Sequence, residues 1–224
     1  LESSYEVVLP IVTLPWNEFA TSALTGAVMD ARRWLSGAKI AVGKCTVAGA
    51  MAIGGVGVII TTSDLIGEVG TRLIQAGAPF AIATAWHSAF AAAWRAWVEN
   101  LTVPGLPWYP AFALWPTSSA PAMANVVTPV GMLVSSGALE LAPTVLANRI
   151  KTALGTAGTS TQASAAITTF ATAFAARAAA YQVGGTVSTV FGSGTVPSLD
   201  PPSVPAGPVM GTCSGSQIFN AQSF

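Results

Sequence analysis

Apolar positions recur at helical spacing along five stretches of the chain, and prolines and glycines separate them. In the first stretch Phe19, Leu24, Ala27, Val28, Ala31 and Leu35 share one face, with Pro15 just before it and Gly37 just after it. This predicts a helix over 16–36, opened by proline and stopped by glycine. The clearest periodicity is Ile82, Trp86, Phe90, Trp94 and Trp97, at spacings of four, four, four and three. It predicts a helix over 79–100 whose largely alanine reverse side allows close packing on a second face. Ile66, Val69, Leu73 and Ile74 mark a shorter helix over 63–77, with Ser63 as its cap and Asp64 and Glu68 placed for its dipole. Pro143 suits the first turn of a helix over 141–155, and Ile167, Phe170, Phe174 and Tyr181 stripe a last helix over 161–183. The expected fold class is mainly α.

Three regions break the pattern. "YEVVLPIVTLPW", within residues 1–15, is β-branched but interrupted by Pro10 and Pro15, which suits an extended N-terminal arm. "CTVAGAMAIGGVGVIITTS", Cys45 to Ser63, runs nineteen residues without a charge. That length is near the lower limit of a membrane span, but Gly49, Gly54, Gly55 and Gly57 each cost a helix about 1 kcal/mol relative to alanine. A membrane helix, a tightly packed buried helix and a strand pair turning at the glycines all fit, and the buried helix or hairpin is favoured. From Gly184 onward Gly, Pro, Ser and Thr dominate, so 184–224 reads as an irregular C-terminal arm. The domain reading is an arm over 1–15, a helical core over 16–183 and an arm over 184–224.

Inside that core, 102–131 stands apart. "TVPGLPWYPAFALWPTSSAPAMANVVTPVG" is rich in proline, holds Trp108, Tyr109, Phe112 and Trp115, and carries no charge. Disordered linkers are poor in aromatics, and a loop this long is uncommon inside a compact domain. The stretch therefore reads as an apolar strap that docks in an extended form. Its four aromatics, with Phe219 and Phe224 of the tail, are the candidate interface anchors, because large aromatics dominate interface energetics.

Composition sharpens this picture. The 224 residues include nine acidic and nine basic side chains, 8 % charged in all, with net charge near zero. A typical soluble domain is about 25 % charged, so bilayer, neighbouring subunits or a neutral Ser/Thr/Ala/Gly surface must cover this chain. Neutrality argues against nucleic acid as a specific partner. The densest basic group, Arg32, Arg33, Lys39 and Lys44, reads as a solvated helix end.

Catalytic motifs fail one by one. "GAKIAVGKC", Gly37 to Cys45, has five residues where a P-loop has four, and Cys45 stands where the magnesium-binding hydroxyl belongs. "GTCSG", Gly211 to Gly215, has the form of a nucleophile elbow, but it lies in the proline-rich tail. The single histidine, His87, sits among alanine and tryptophan, where a hydrogen-bonded helix residue is the favoured reading. Cys45 and Cys213 show no zinc-ligand spacing, and two free buried thiols are favoured over a bridge. Arg95 and Glu99 form an i, i+4 pair, and Arg177 is isolated on a neutral helix. No catalytic, cofactor-binding or metal residue is expected, and no cofactor.

A helical core, arms at both ends and an apolar strap describe a subunit of a larger assembly. With its low charge, its abundance of Ala, Gly and Thr, and a tail such as "GSGTVPSLDPPSVPAGPV", the chain resembles bacteriophage virion proteins and subunits of phage-tail-like particles. The resemblance lies in the style of most of the chain and carries no functional residue across. It implies a non-enzymatic structural protein of a virion or phage-like particle, with copies of itself and other structural subunits as partners. The alternative is an integral or peripheral membrane protein with short Gly-rich spans at 45–63 and 79–98.

Overall fold

The computed structural model describes residues 14–48, 56–60, 67–104, 119–124, 127–132, 134–195 and 208–224. The fold is mainly α. Its helices are α1 (Trp16–Gly37), α2 (Glu68–Gln75), α3 (Phe80–Glu99), α4 (Pro143–Leu154) and α5 (Thr161–Gly184). All but α2 match their predicted spans to within two residues. α2 begins at Glu68, after Gly67 at φ 126°, and Ser63, its expected cap, lies outside the described residues.

α1 packs on α2, α2 on α3, α3 on α4, α4 on α5, and α5 returns to α1. The stripes that spell out α3 and α5 point into this ring: Ile82, Trp86, Phe90, Trp94, Trp97, Ile167, Phe170, Phe174 and Tyr181 are all buried. On α1, Phe19, Ala27, Ala31 and Leu35 of the predicted face are buried, and the buried face extends beyond it. Trp16, Ala20, Ala23, Asp30 and Trp34 are buried, while Leu24 and Val28 are only partly so. The core is aromatic. Phe90 meets Phe174 edge to face at 4.9 Å, Trp86 meets Phe170 at 5.5 Å, and Trp34 meets Trp94 at 5.8 Å between ring centroids. Such pairs add about 0.5–1.5 kcal/mol each beyond the area they bury.

Three helices run directly into strands at one end of the bundle. α1 leads into β1 (Lys39–Ala48), α3 into β3 (Leu101–Pro104), and α5 into β7 (Thr186–Val187) and then β8 (Val190–Thr195). β1, β3 and β8 join β2 (Val56–Ile60), β4 (Ser119–Ala124), β6 (Val134–Ser135) and β9 (Pro208–Ser216) in an antiparallel seven-stranded sheet of order β4-β8-β9-β1-β2-β3-β6. β5 (Thr128–Pro129) pairs with β7 in a separate two-stranded sheet. Of the three forms open to the uncharged stretch 45–63, the described part is the strand pair: β1 and β2 are antiparallel, with Lys39 opposite Ile60. Val and Ile favour that pleated form.

The C-terminal region corrects the reading of an irregular arm. β9 lies between β8 and β1, so both sides of its ladder are paired. The segment after it enters the bundle. Ile218, Phe219 and Phe224 are buried, with Phe219 6.0 Å from Trp34 and Phe224 5.3 Å from Tyr181 between ring centroids. Phe219 and Phe224, candidate anchors for a neighbour by sequence, are therefore core residues of their own chain. Apolar rings at the end of a Gly- and Ser-rich segment can reach back into the same molecule as readily as into another. The strap is corrected in part. Its flanks are β3, β4 and β5, and Pro121 is tolerated because β4 is an edge strand. Trp108, Tyr109, Phe112 and Trp115 lie outside the described residues.

Candidate functional site

Two places carry more chemistry than packing alone requires. The first is inside the bundle. α1 and α2 approach so closely at Gly26 that a Cβ there would lie 2.7 Å from both the Glu68 carbonyl oxygen and Val69 Cα. One turn further on, Asp30 is only 1 % exposed. The residue before α2 is Gly67, which offers no side-chain cap. Asp30 supplies one from the neighbouring helix, with the backbone N–H groups of Val69 and Glu68 donating toward its carboxylate. Its Oδ2 has no hydrogen-bond partner.

His87 of α3 completes this cluster by lying over Gly70 of α2, where a Cβ would sit 3.6 Å from His87 Cβ. Its Nδ1 is buried without a hydrogen-bond partner. Burial pushes the Asp30 carboxyl above its ordinary 3.8, and the Glu68 carboxylate adds to the rise. The Val69 amide, His87 and the Glu68 amide act against it. Burial pulls His87 below its ordinary 6.5, and the Asp30 charge resists. Each group favours the charged form of the other, and desolvation opposes both.

A nucleophilic triad needs its carboxylate hydrogen-bonded to the imidazole, whereas Asp30 Oδ2 and His87 Nδ1 are both without a hydrogen-bond partner. Cys45 belongs to β1 and Cys213 to β9 of the sheet. The register places them on adjacent strands, Cys45 opposite Gly211 and Cys213 opposite Gly43. "GTCSG" therefore lies within a central strand and not at a strand-to-helix turn. "GAKIAVGKC" runs from the end of α1 into β1, the reverse of the strand-to-helix order a P-loop needs. Arg177 donates to the Phe224 backbone oxygen at 3.3 Å. Among the described residues no group of three or more His, Cys, Asp and Glu side chains is placed to hold a metal ion. Among them, too, no helix is long and apolar enough to cross a membrane.

The second place is the junction of bundle and sheet. Residues 127–132 and 134–141 wrap across the ends of α5 and α3. The Val130 N–H donates to Gly185 O at 2.9 Å, the Ser135 hydroxyl donates to Trp97 O at 2.7 Å, and Gly137 lies against the Ala96 carbonyl. This wrap presents apolar side chains outward. Val127 is 61 % exposed, Val134 58 %, Leu139 75 % and, beside them on the last turn of α5, Val183 84 %.

No family model, no curated protein and no solved structure matches this chain.

Sequence reasoning passed over both places. Asp30 had a readable signal, a lone carboxylate on the same helical face as Ala23, Ala27 and Trp34. Val127, Val134, Leu139 and Val183 had none, because only the path of the wrap decides which apolar residues face out. Next to them a cavity of about 150 Å³ is lined by Trp94, Trp97, Leu141, Tyr181 and Phe224 among others. The Tyr181 hydroxyl is buried without a partner, and that burial pushes its pKa up.

Proposed function

We propose that this chain is a structural subunit of a large protein assembly, most favourably a capsid or tail component of a phage or phage-like particle. It acts by packing against copies of itself and other structural subunits, and it performs no catalysis. The observation that carries this reading is the exposed apolar surface at the junction, formed by Val127, Val134, Leu139 and Val183. Large apolar side chains left in solvent mark interaction surfaces when they gather on one face. Here the chain has little charge to keep such a surface dispersed, since only 8 % of its residues are charged. The sheet supports the same reading, because among the described strands β4 stands at an edge, where a neighbour's strand can add.

Light scattering coupled to size exclusion, with negative-stain microscopy of the same fractions, tests the proposal. The expected result is concentration-dependent oligomers or particles that form without detergent and are lost in the double variant Leu139→Ser, Val183→Ser. A monomer at every concentration, unchanged by the substitutions, refutes it.

A further inference from the structure

The ladders on either side of β9 bring together the two cysteines of the chain, Cys45 and Cys213. Toward β1, Gly43 pairs with Cys213 and Cys45 with Gly211. Toward β8, Cys213 pairs with Gly192 and Gly211 with Gly194. Directly opposite residues share a face of a sheet, and so do alternate residues of one strand. These positions therefore form two successive rows on one face: Gly43, Cys213 and Gly192, then Cys45, Gly211 and Gly194. The cysteines stand on the diagonal, and glycine fills the other places. The next rows on this face are apolar, with Ile40, Gly215 and Val190 on one side and Val47 opposite Val209 on the other. Val190 is fully buried.

Spacing decides what such a pair can hold. Diagonal neighbours on antiparallel strands are about 7–8 Å apart, beyond the roughly 4.4–6.8 Å between Cα atoms that a disulfide spans. An ion held between two thiolates makes a longer bridge, with two metal–sulfur bonds of about 2.3 Å in place of one sulfur–sulfur bond of about 2.05 Å. Thiolate sulfur is a soft ligand and selects soft metals. A monovalent d10 ion such as Cu(I) is satisfied by two thiolates in line, whereas zinc takes four ligands. The single histidine, His87, is not there to extend the set, because α3 holds it in the bundle over Gly70 of α2.

We propose that Cys45 and Cys213, on the diagonal of the β1–β9 ladder, form a two-coordinate site for Cu(I). Binding exchanges two thiol protons for the ion, so the site goes from neutral to singly negative and no electron is transferred. Glycine at the places around the diagonal gives the ion room. The apolar rows on either side suit a soft ion, which needs no oxygen ligand. The site has no signature in the sequence, because its ligands lie far apart along the chain and meet only through strand pairing. It stands apart from the assembly reading, since a monomer that binds Cu(I) would refute that reading and leave this one intact.

Anaerobic titration of the full chain with Cu(I), in competition with the chelator bicinchoninate, tests the proposal. One equivalent is expected to stay with the protein. Cys45→Ser and Cys213→Ser, each close in size to the native residue, should both give that equivalent up to the chelator. The double variant Cys45→Ser, Thr46→Cys keeps two thiols but moves one to the opposite face of the sheet, so it should give the ion up as well. Melting temperatures of the metal-free variants, expected to match the native chain, separate loss of the site from loss of the fold. Release of all copper by the native chain, or retention by the shifted-thiol variant equal to the native, overturns the inference.

Discussion

The interior of the bundle and its junction with the sheet are built on opposite principles. In the bundle Trp34, Trp86, Phe90, Trp94, Phe170 and Phe174 are each at most 1 % exposed, and each ring packs on others. At the junction Val127, Val134, Leu139 and Val183 face outward, and backbone bonds join segments far apart in sequence. Ser188 N–H donates to Ile218 O at 2.9 Å, Ile218 N–H to Ala38 O at 3.4 Å, and Asn220 N–H to Thr186 O at 3.3 Å. A region held by interlocked rings tolerates no loss of volume but has little to offer a partner. A region held by backbone bonds leaves its side chains free to meet one. Stability and recognition are therefore expected to separate between the two.

The largest effect that would sharpen this contrast is in the bundle. Trp94→Ala removes a ring that touches Trp34, Phe90, Trp97, Phe174 and Phe224. It should cost about 3–5 kcal/mol in urea denaturation. A loss under 1 kcal/mol would mean that the core collapses around the gap, and the contrast would fail. Next comes Gly26→Ala, whose added methyl has only the backbone of Glu68 and Val69 to push against. It should cost about 1–3 kcal/mol.

Asp30→Ala removes the cap that α1 lends α2 and should cost about 1–2 kcal/mol. The pH dependence follows from the two shifts. The folded pKa of His87 lies below 6.5, so its contribution is complete above pH 6.5 and is lost as pH falls through the folded value. The folded pKa of Asp30 lies above 3.8, so its contribution is complete below pH 3.8 and is lost as pH rises through the folded value. His87→Gln should flatten the stability profile just below pH 6.5, and Asp30→Asn should flatten it just above pH 3.8. Urea midpoints measured across this range check both, and an unchanged profile in His87→Gln would show that the histidine is not coupled to folding.

The smallest effect on stability belongs to the junction. Leu139→Ser or Val183→Ser alone should shift the unfolding free energy by no more than about 0.5 kcal/mol, as expected for exposed positions. Each should still reduce self-association by sedimentation velocity. A large loss of stability with unchanged association would reverse the comparison between the two regions.

The sequence by itself determined where the helices lie and, for α3 and α5, the direction their apolar faces take. The stripes of α3 and α5 are local, periodic and made of large residues, so spacing alone placed all nine of their members in the core. It did not determine the sheet. Gly, Ser and Thr in β8 and β9 carry no strong period, and the pairing of β9 with β1 joins residues more than 160 positions apart, such as Lys44 and Thr212. Backbone hydrogen bonding is available to every residue type, so which segments share a ladder is settled only when the whole chain is assembled. The same holds for Phe219 and Phe224, where sequence showed that the rings need covering but only the tertiary path decided that their own bundle covers them. Asp30 lies between these cases. Its place on an apolar face was written in the helical period, but its task was decided by α2 starting, uncapped, at that point in space.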